Sequence, residues 1–466
     1  MVIGIIISLL LLTVIAYRGF SVIVFAPFCA ILAAITAGWD PLPTYTNQFL
    51  GSAAVYFKNF FPIFLLGGVF GKIVEESGAA YVIAKFFSRK LGAKYTIASL
   101  LATGVVLTYG GVSLFVVVFT IYPLAAVMFR ELNMPKRLIP AIVISGSATA
   151  TMTAFPGTPA IQNIIPTTYF GTDAFAAPVV GIIGGVLVIF LGYLWLQYRA
   201  TGLMAKGEDY YSMHERINEP AIVDGEQEAT MSTFQAFLPL ITVLVLNFVF
   251  TKTFAGISPD VMLATIKAPL AASRPPVATW ALICALIAGI LLMSAMGWKR
   301  LRKGNTLMLA INAGAIGSLL AILNTASEVG YGNVISNLPG FKTVADFLLS
   351  IDPGTPLVSE ALTVNILAGI TGSASGGMSI ALEAMGARYL AWAAELGINP
   401  EILHRIAAMS SGGFDSLPHN GAVITILAFC GINHKAGYPD IFVVSVFIPF
   451  AVAAVMILLA TLTGIY

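Results

Sequence analysis

The chain has 466 residues, of which 58% are hydrophobic and only 10% charged, with a formal net charge of +2. Its mean hydropathy is +0.90. Soluble domains carry about 25% charged residues, so most of this surface faces lipid or other helices, and without basic runs no nucleic-acid partner is expected. Cys29, Cys284 and Cys430 stand singly in apolar runs, which excludes a disulfide framework and a cysteine metal site. No cofactor is expected.

In chain order, the first candidate spans are 2–17, 20–37 and 49–75, each near the roughly 20 apolar residues that cross hydrocarbon. The opening "MVIGIIISLLLLTVIAYRG" lacks a basic leader and a small-x-small cleavage site, so it is expected to be a retained span. A polar amphipathic link with Lys85, Arg89, Lys90 and Lys94 follows. Next come 95–128, interrupted at Tyr109 to Gly111, then 137–170, interrupted at its centre, and a span at 177–198. After a polar stretch at 199–232, the second half offers 233–250, 279–296, 305–325, an interrupted 357–392, an interrupted 402–433, and 440–462.

Lysine and arginine mark the cytoplasmic side. Arg18, the 85–94 cluster, Arg130 with Lys136 and Arg137, Arg199 with Lys206, Lys299 to Lys303, and Lys435 agree only under one condition. The segments 95–128 and 357–392 must enter and return on one side, and 137–170 and 402–433 must each cross once as two half-helices. The expected fold is an all-α polytopic membrane protein of about ten crossings with two re-entrant hairpins and two broken helices. Both termini are then outside, and 251–278 is an external loop.

An odd number of crossings per half inverts one half against the other, and four matches in the same order relate the halves. "EESGAAYVI" from Glu75 answers "SEVGYGNVI" from Ser327, and "GGVS" from Gly110 answers "GGMS" from Gly376. Pro135 before Arg137 answers Pro400 before Arg405, and "FPGTPAIQNII" from Phe155 answers "LPHNGAVITIL" from Leu417. The organisation is a first inverted repeat at 1–198, a cytoplasmic linker at 199–232 and a second repeat at 233–466. Inverted repeats with discontinuous helices recur in secondary transporters, with the site near the midplane, because broken backbone at that depth must be buried in protein or line a wet cavity.

Polar residues of the membrane region gather in four places: "LTYGGVS", "SGSATATMTAFPGTP", "TGSASGGMS" and "SSGGFDSLPHNGAVITI". Candidate substrate-binding residues are Tyr109, Gly110, Gly111 and Ser113 at the first tip, with Ser145, Ser147, Thr149, Gly157 and Thr158 at the first break. Ser373, Ser375 and Gly376 are candidates at the second tip, with Ser411 and Asn420 at the second break. Helices starting near Pro159 and Pro418 aim free N–H groups at the centre, a ready site for a carboxylate. No arginine or lysine is expected at the breaks, which favours a monoanion. Small residues in apolar helices also serve close packing, and serine or threonine there often bonds back to its own helix.

Asp415 and His419 are the candidates for proton coupling, since charge at membrane depth is a functional signal by default and histidine titrates near neutrality. Asp415 can equally cap the helix beginning near Leu417. Glu76 and Glu328 are expected at helix ends in solvated or capping roles. Glu383, Arg388 and His404 are expected near the outer surface, with Arg388 and Glu383 forming a pair.

"GKIVEESGAA", the glycine-rich hairpins and above all "SGGFDSLPHNGAVIT…CGINHK" resemble the gluconate permease (GntP) family of the ion transporter superfamily, over nearly the whole chain. The resemblance implies a proton-linked importer of small hydroxylated organic acids in the inner (plasma) membrane: gluconate-like sugar acids, or hydroxybutyrate or D-serine in some members. It also implies a homodimeric elevator. Its transport domain would span approximately 95–170 and 357–433, and the remaining spans would form the scaffold. "SGSATATMTAFPGTP" is similar to the hydroxybutyrate-type branch. Two other readings stand beside this one. One is sodium coupling at hydroxyl-rich hairpin tips. The other is a membrane-embedded serine hydrolase using His419 and Asp415, although "GSASG" at Gly372 centres on Ala374 and lacks the nucleophile.

Overall fold

A computed structural model describes residues 2–17, 21–92, 95–112, 114–212, 231–255, 277–341, 343, 346–347, 355–418 and 420–464. Ser113, His419, Arg18 and Lys94, most of the linker (213–230) and most of the 251–278 loop lie outside the described residues. Among the described residues the secondary structure is entirely helical. Hydrocarbon offers backbone groups no solvent partner, so each segment must satisfy its own hydrogen bonds.

The first half comprises α1 (Val2–Tyr17), α2 (Val22–Thr36), α3 (Leu50–Glu76), α4 (Ala79–Leu91), α5 (Thr96–Tyr109) and α6 (Leu114–Glu131). These are followed by α7 (Ile139–Ser147), α8 (Ala150–Thr153), α9 (Ile161–Phe170) and α10 (Pro178–Ala205). The second half comprises α11 (Thr233–Ala255), α12 (Val277–Met296), α13 (Thr306–Asn337), α14 (Pro356–Thr371) and α15 (Ala374–Glu395). It ends with α16 (Pro400–Ser411), α17 (Gly421–Phe429), α18 (His434–Phe442) and α19 (Ile448–Thr463).

Among the described residues, six helical stretches are long and apolar enough to cross a membrane: Pro41–Glu76, Pro178–Ala205, Thr233–Phe254, Thr279–Met296, Lys303–Asn337 and His434–Thr463. Shorter apolar helices include Val22–Thr36, Thr96–Tyr109 and Pro356–Gly369. Four segments are interrupted where the sequence places its polar clusters. The α5–α6 pair turns at Gly111 (φ +95°) and the α14–α15 pair at Gly372 (φ +64°), a backbone region that glycine enters without strain. The chain between α7 and α9 leaves the helix at Thr149 (φ −99°, ψ −114°). Between α16 and α17 it leaves at Gly413 (φ −93°, ψ −85°). Helices restart on side-chain caps: Thr355 accepts from Leu357 N, Ser373 from Gly376 N and Asn399 from Glu401 N.

α13 is the axis against which much of the molecule packs, lying along α2, α3 and α15. Small residues make this approach close. A Cβ at Gly314 would sit 2.6 Å from Val69 Cα, and one at Gly68 would sit 2.7 Å from the Gly314 carbonyl oxygen. Gly330 lies against Phe49, and Gly332 against Ile380 of α15.

Two of the basic residues expected on one side find acidic partners, one in the second half and one in the linker. Arg199 holds Asp440 through two hydrogen bonds of 2.6 and 3.2 Å, with Trp195 Nε1 also donating to Asp440. Arg137 lies 3.0 Å from Glu208.

The α3–α13 crossing yields a stability prediction. Gly314→Ala drives a methyl into the α3 backbone and is expected to cost about 1–3 kcal/mol. Gly317→Ala, on the same helix with open space around it, is expected to be neutral or slightly stabilising. Thermal unfolding of the two purified variants in detergent measures the difference.

Candidate functional site

Each hairpin tip is bonded to the break of its own half, and the two breaks touch. At the first tip, Tyr109 donates its hydroxyl to Pro156 O at 2.7 Å, and Gly111 lies against Pro159. At the second, Asn420 donates Nδ2 to Gly372 O at 2.7 Å, while Gly369 lies against Phe414 and Leu417. Thr153 of the first break packs on Gly412 of the second. Asn365 of α14 reaches the main chain at Gly413, and its buried Oδ1 has no hydrogen-bond partner.

The hydroxyls predicted to bind substrate divide into two groups. Ser147 bonds back to Val143 O, Thr149 to Ser145 O, and Ser411 to Ala408 O, at 2.5, 2.7 and 2.7 Å. Thr158 accepts from Ala160 N at 3.3 Å, and Ser373 caps α15. These hydroxyls hold the bent backbone. Ser145 Oγ, by contrast, is fully buried with no partner, as are Thr108 Oγ1 at the first tip, Ser410 Oγ before the second break and Ser379 Oγ on α15. Ser375 Oγ lies 3.4 Å from Thr325 Oγ1 of α13. Gly110 approaches Leu240 of α11, while Gly157 donates its amide to Ala174 O at 2.8 Å and accepts from Asn247 Nδ2 at 3.4 Å.

Asp415 stands half-buried in the single 3₁₀ turn Phe414–Ser416 of the second break, its Oδ1 accepting from Ser416 Oγ at 3.1 Å. Its coupling partner by expectation, His419, is outside the described residues. A different histidine reaches this break: His434 Nε2 lies 3.1 Å from Pro418 O.

Four expectations are corrected. An arginine does serve a break: Arg405, fully buried, donates Nε and Nη2 to Ala176 O at 3.1 and 2.7 Å and Nη1 to Asn163 Oδ1 at 2.9 Å. Asn163 in turn donates to Thr158 O and Ala174 O. His404 is not at the surface but fully buried, with Nδ1 2.6 Å from Thr172 Oγ1. Glu383 does not pair with Arg388. It accepts from Tyr169 OH and Asn333 Nδ2, whereas Arg388 lies 3.6 Å from Asp346. Glu328 is not at a helix end but deep within α13 and 3% exposed, although Glu76 does end α3.

Glu360 of α14 escaped the sequence reading. It is fully buried, and both carboxylate oxygens lack partners. The available signal was a lone acid inside an apolar helix. Among the described residues no three His, Cys, Asp or Glu side chains gather as a metal site would require. An apolar groove of about 440 Å³ between Phe87, Leu101, Phe155 and Phe190 lies beside the first break, and its walls suit an acyl chain rather than a hydroxy-acid.

Comparisons with known proteins agree with this architecture. The sequence model described as GntP family permease matches residues 1–463. The chain is 43% identical over 476 residues, 99% of each protein, to "Uncharacterized transporter YxjC" of Bacillus subtilis (strain 168). It is 24% identical over 184 residues to an uncharacterized transporter of Haemophilus influenzae, covering 39% of this chain and 40% of that one. In fold it is similar to the crystal structure of the Alcanivorax borkumensis YdaH transporter, with a TM-score of 0.51 and 16% identity, covering 90% of this chain and 88% of the other.

The Arg405 network yields the second prediction. Arg405→Met removes both guanidinium donors from the Ala176 carbonyl and leaves Asn163 Oδ1 only the His404 Nε2 contact at 3.4 Å, at about 1–3 kcal/mol for a buried acceptor left unpaired. Arg405→Lys keeps the charge but loses the fork, and is expected to recover only part of the lost melting temperature.

Proposed function

Because the chain belongs to the GntP permease family and is therefore a membrane transporter rather than an enzyme, we propose that it imports a small hydroxylated monocarboxylate by proton symport. Gluconate-like sugar acids and 3-hydroxybutyrate are the leading substrates. Asp415 is the observation that carries the reading. It is a carboxylate in an isolated 3₁₀ turn of an apolar segment, next to the contact between two helix breaks and one hairpin tip. A membrane protein keeps an ionisable group there at a cost of roughly 2.5–3.5 kcal/mol or more, which selection tolerates where the group takes up and releases a proton.

The remaining parts fit this reading as binding elements. The unpartnered hydroxyls of Thr108, Ser145 and Ser410 supply donors for a polyol or hydroxy-acid. The main-chain amides at the two breaks supply a neutral cradle for one carboxylate. Arg405 is occupied by protein carbonyls and an amide oxygen, so it positions the break rather than neutralising a second substrate charge. That supports a monoanion over a dicarboxylate.

In mechanism, we take the two tips and breaks, approximately 95–170 and 357–433, as one moving transport domain. The long spans around α3, α11, α12 and α13 are its scaffold, the two halves are related as inverted repeats, and the assembly is a homodimer in the inner membrane with both termini outside. Asp415 or His419 carries the coupling proton, whose positive charge offsets that of the anion as the two cross together.

Reconstituted protein in liposomes tests this directly with radiolabelled D-gluconate and 3-hydroxybutyrate. An inward proton gradient is expected to drive accumulation. Asp415→Asn is expected to lower accumulation by about tenfold or more, equivalent to about 1.4 kcal/mol. Uptake that ignores the pH gradient and requires sodium would replace the proton with sodium. Intact accumulation in both Asp415→Asn and His419→Ala would remove the site assignment.

A further inference from the structure

We propose that Glu328 is a second proton-carrying carboxylate, placed where α13 meets the tip of the α14–α15 hairpin. The proposal rests on the proton-linked reading above and adds a site at a different contact from the Asp415 break.

Glu328 lies within α13, 3% exposed, and its Oε2 has no hydrogen-bond partner. It faces the first turn of α15. A Cβ at Gly376 would overlap the Glu328 carboxylate, so glycine at this position makes the room the acid occupies. The Ser373 side chain lies within hydrogen-bonding reach of the same carboxylate while its Oγ accepts from Gly376 N at 3.1 Å. Glu328 is therefore seated at the amino end of a 22-residue helix. Two further polar groups stand here within reach of each other: Tyr56 OH of α3, within electrostatic range of Glu328, and Ser379 Oγ one turn along α15. They are 3% and 0% exposed.

No cation answers this acid. Among the described residues, no lysine, arginine or histidine forms an ion pair with Glu328. The titratable groups on the elements packed against it are otherwise engaged, neutral or, like Lys58 of α3, exposed. Tyr331 on α13 lies 3.1 Å from Ser8 Oγ, Glu383 on α15 is bonded to Tyr169 and Asn333, and Cys29 on α2 is buried. Glu360 on the other arm of the hairpin is a separate buried acid. A carboxylate desolvated among hydroxyls, with only a helix end for compensation, is stable in its protonated form. The Ser379 and Tyr56 oxygens have lone pairs to accept that proton's hydrogen bond.

The location makes this proton conditional. While the hairpin tip is seated on α13, the Glu328 carboxyl keeps its O–H. When the tip withdraws and water enters, the O–H bond breaks, the proton passes to water and the carboxylate remains hydrated. Re-seating the tip then requires the proton to return, because an ionised Glu328 cannot be desolvated against Gly376 and Tyr56. Proton exchange is thereby tied to movement of the tip rather than to substrate contact.

Infrared spectra of the purified protein across a pH series, with wild type, Glu328→Gln and Asp415→Asn compared, test the assignment without a ligand. A protonated-carboxyl band near neutral pH is expected in wild type and Asp415→Asn and reduced in Glu328→Gln; Glu360 is common to all three and cancels in the differences. In liposomes, Glu328→Gln mimics the protonated acid. It is expected to retain exchange of labelled for unlabelled D-gluconate while losing about tenfold or more of proton-driven accumulation. Glu328→Asp, which keeps an acid, shifts the band and restores part of the accumulation, and this guards against a folding defect. An unchanged band in Glu328→Gln, its removal by sodium in wild type, or full proton-driven accumulation in that variant overturns the proposal. Wild-type uptake that ignores the pH gradient while the band difference persists would instead sink the symport reading alone.

Discussion

A helix interrupted inside hydrocarbon leaves peptide groups without partners, and no water is at hand to supply them. The rest of this structure is arranged around that constraint. Each break borrows from a neighbouring break or tip: Tyr109 serves Pro156, Asn420 serves Gly372, and Thr153 closes on Gly412. Where side chains of the same half do not suffice, the other half contributes. Arg405 crosses from α16 to the chain after α9 and satisfies the Ala176 carbonyl and Asn163 together. The two breaks are thus tied together by the Arg405 hydrogen bonds and the Thr153–Gly412 contact.

That dependence explains which features the sequence makes legible. A cluster of glycine, proline and hydroxyl residues in an apolar run is a local signal, because those residue types disfavour continuous helix wherever they occur. All four interruptions, and the turns at Gly111 and Gly372, are readable for that reason. Hydroxyl roles are less readable. Ser145 and Ser147 look alike in sequence, yet one lies unpartnered against Gly192 of α10 and the other bonds to its own helix, a difference that only tertiary packing reveals.

The misread residues share a different cause. His404 and Arg405 look like a polar end of a short helix, and their partners lie 229 to 242 positions away. "SEVGYGN" looks like a helix end because of its glycines. In fact α13 continues through them, as Gly330 and Gly332 allow Phe49 and Ile380 to approach. Glu328 therefore lies inside α13 rather than at the helix end its repeat mate Glu76 suggests. Burial of a charge depends on tertiary neighbours, and no periodicity in the chain reports it.

The acids of the membrane region then fall into an order. Glu383 is paired by hydrogen bonds and Asp440 by an arginine, so both resemble structural groups whose removal would orphan a partner. Asp415, Glu328 and Glu360 have no such counter-charge among the described residues. An uncompensated acid at depth has two stable conditions, protonated and dry or ionised and wet, and moves between them only when water reaches it. Asp415 sits in a turn and Glu328 against a helix tip, each at a joint between elements rather than inside one. On the proposed reading, a rearrangement that opens those joints moves protons, whether or not a substrate is present at the same moment. In the proposed symport, the geometry at the two joints, more than the count of acids, sets how tightly proton and cargo are linked.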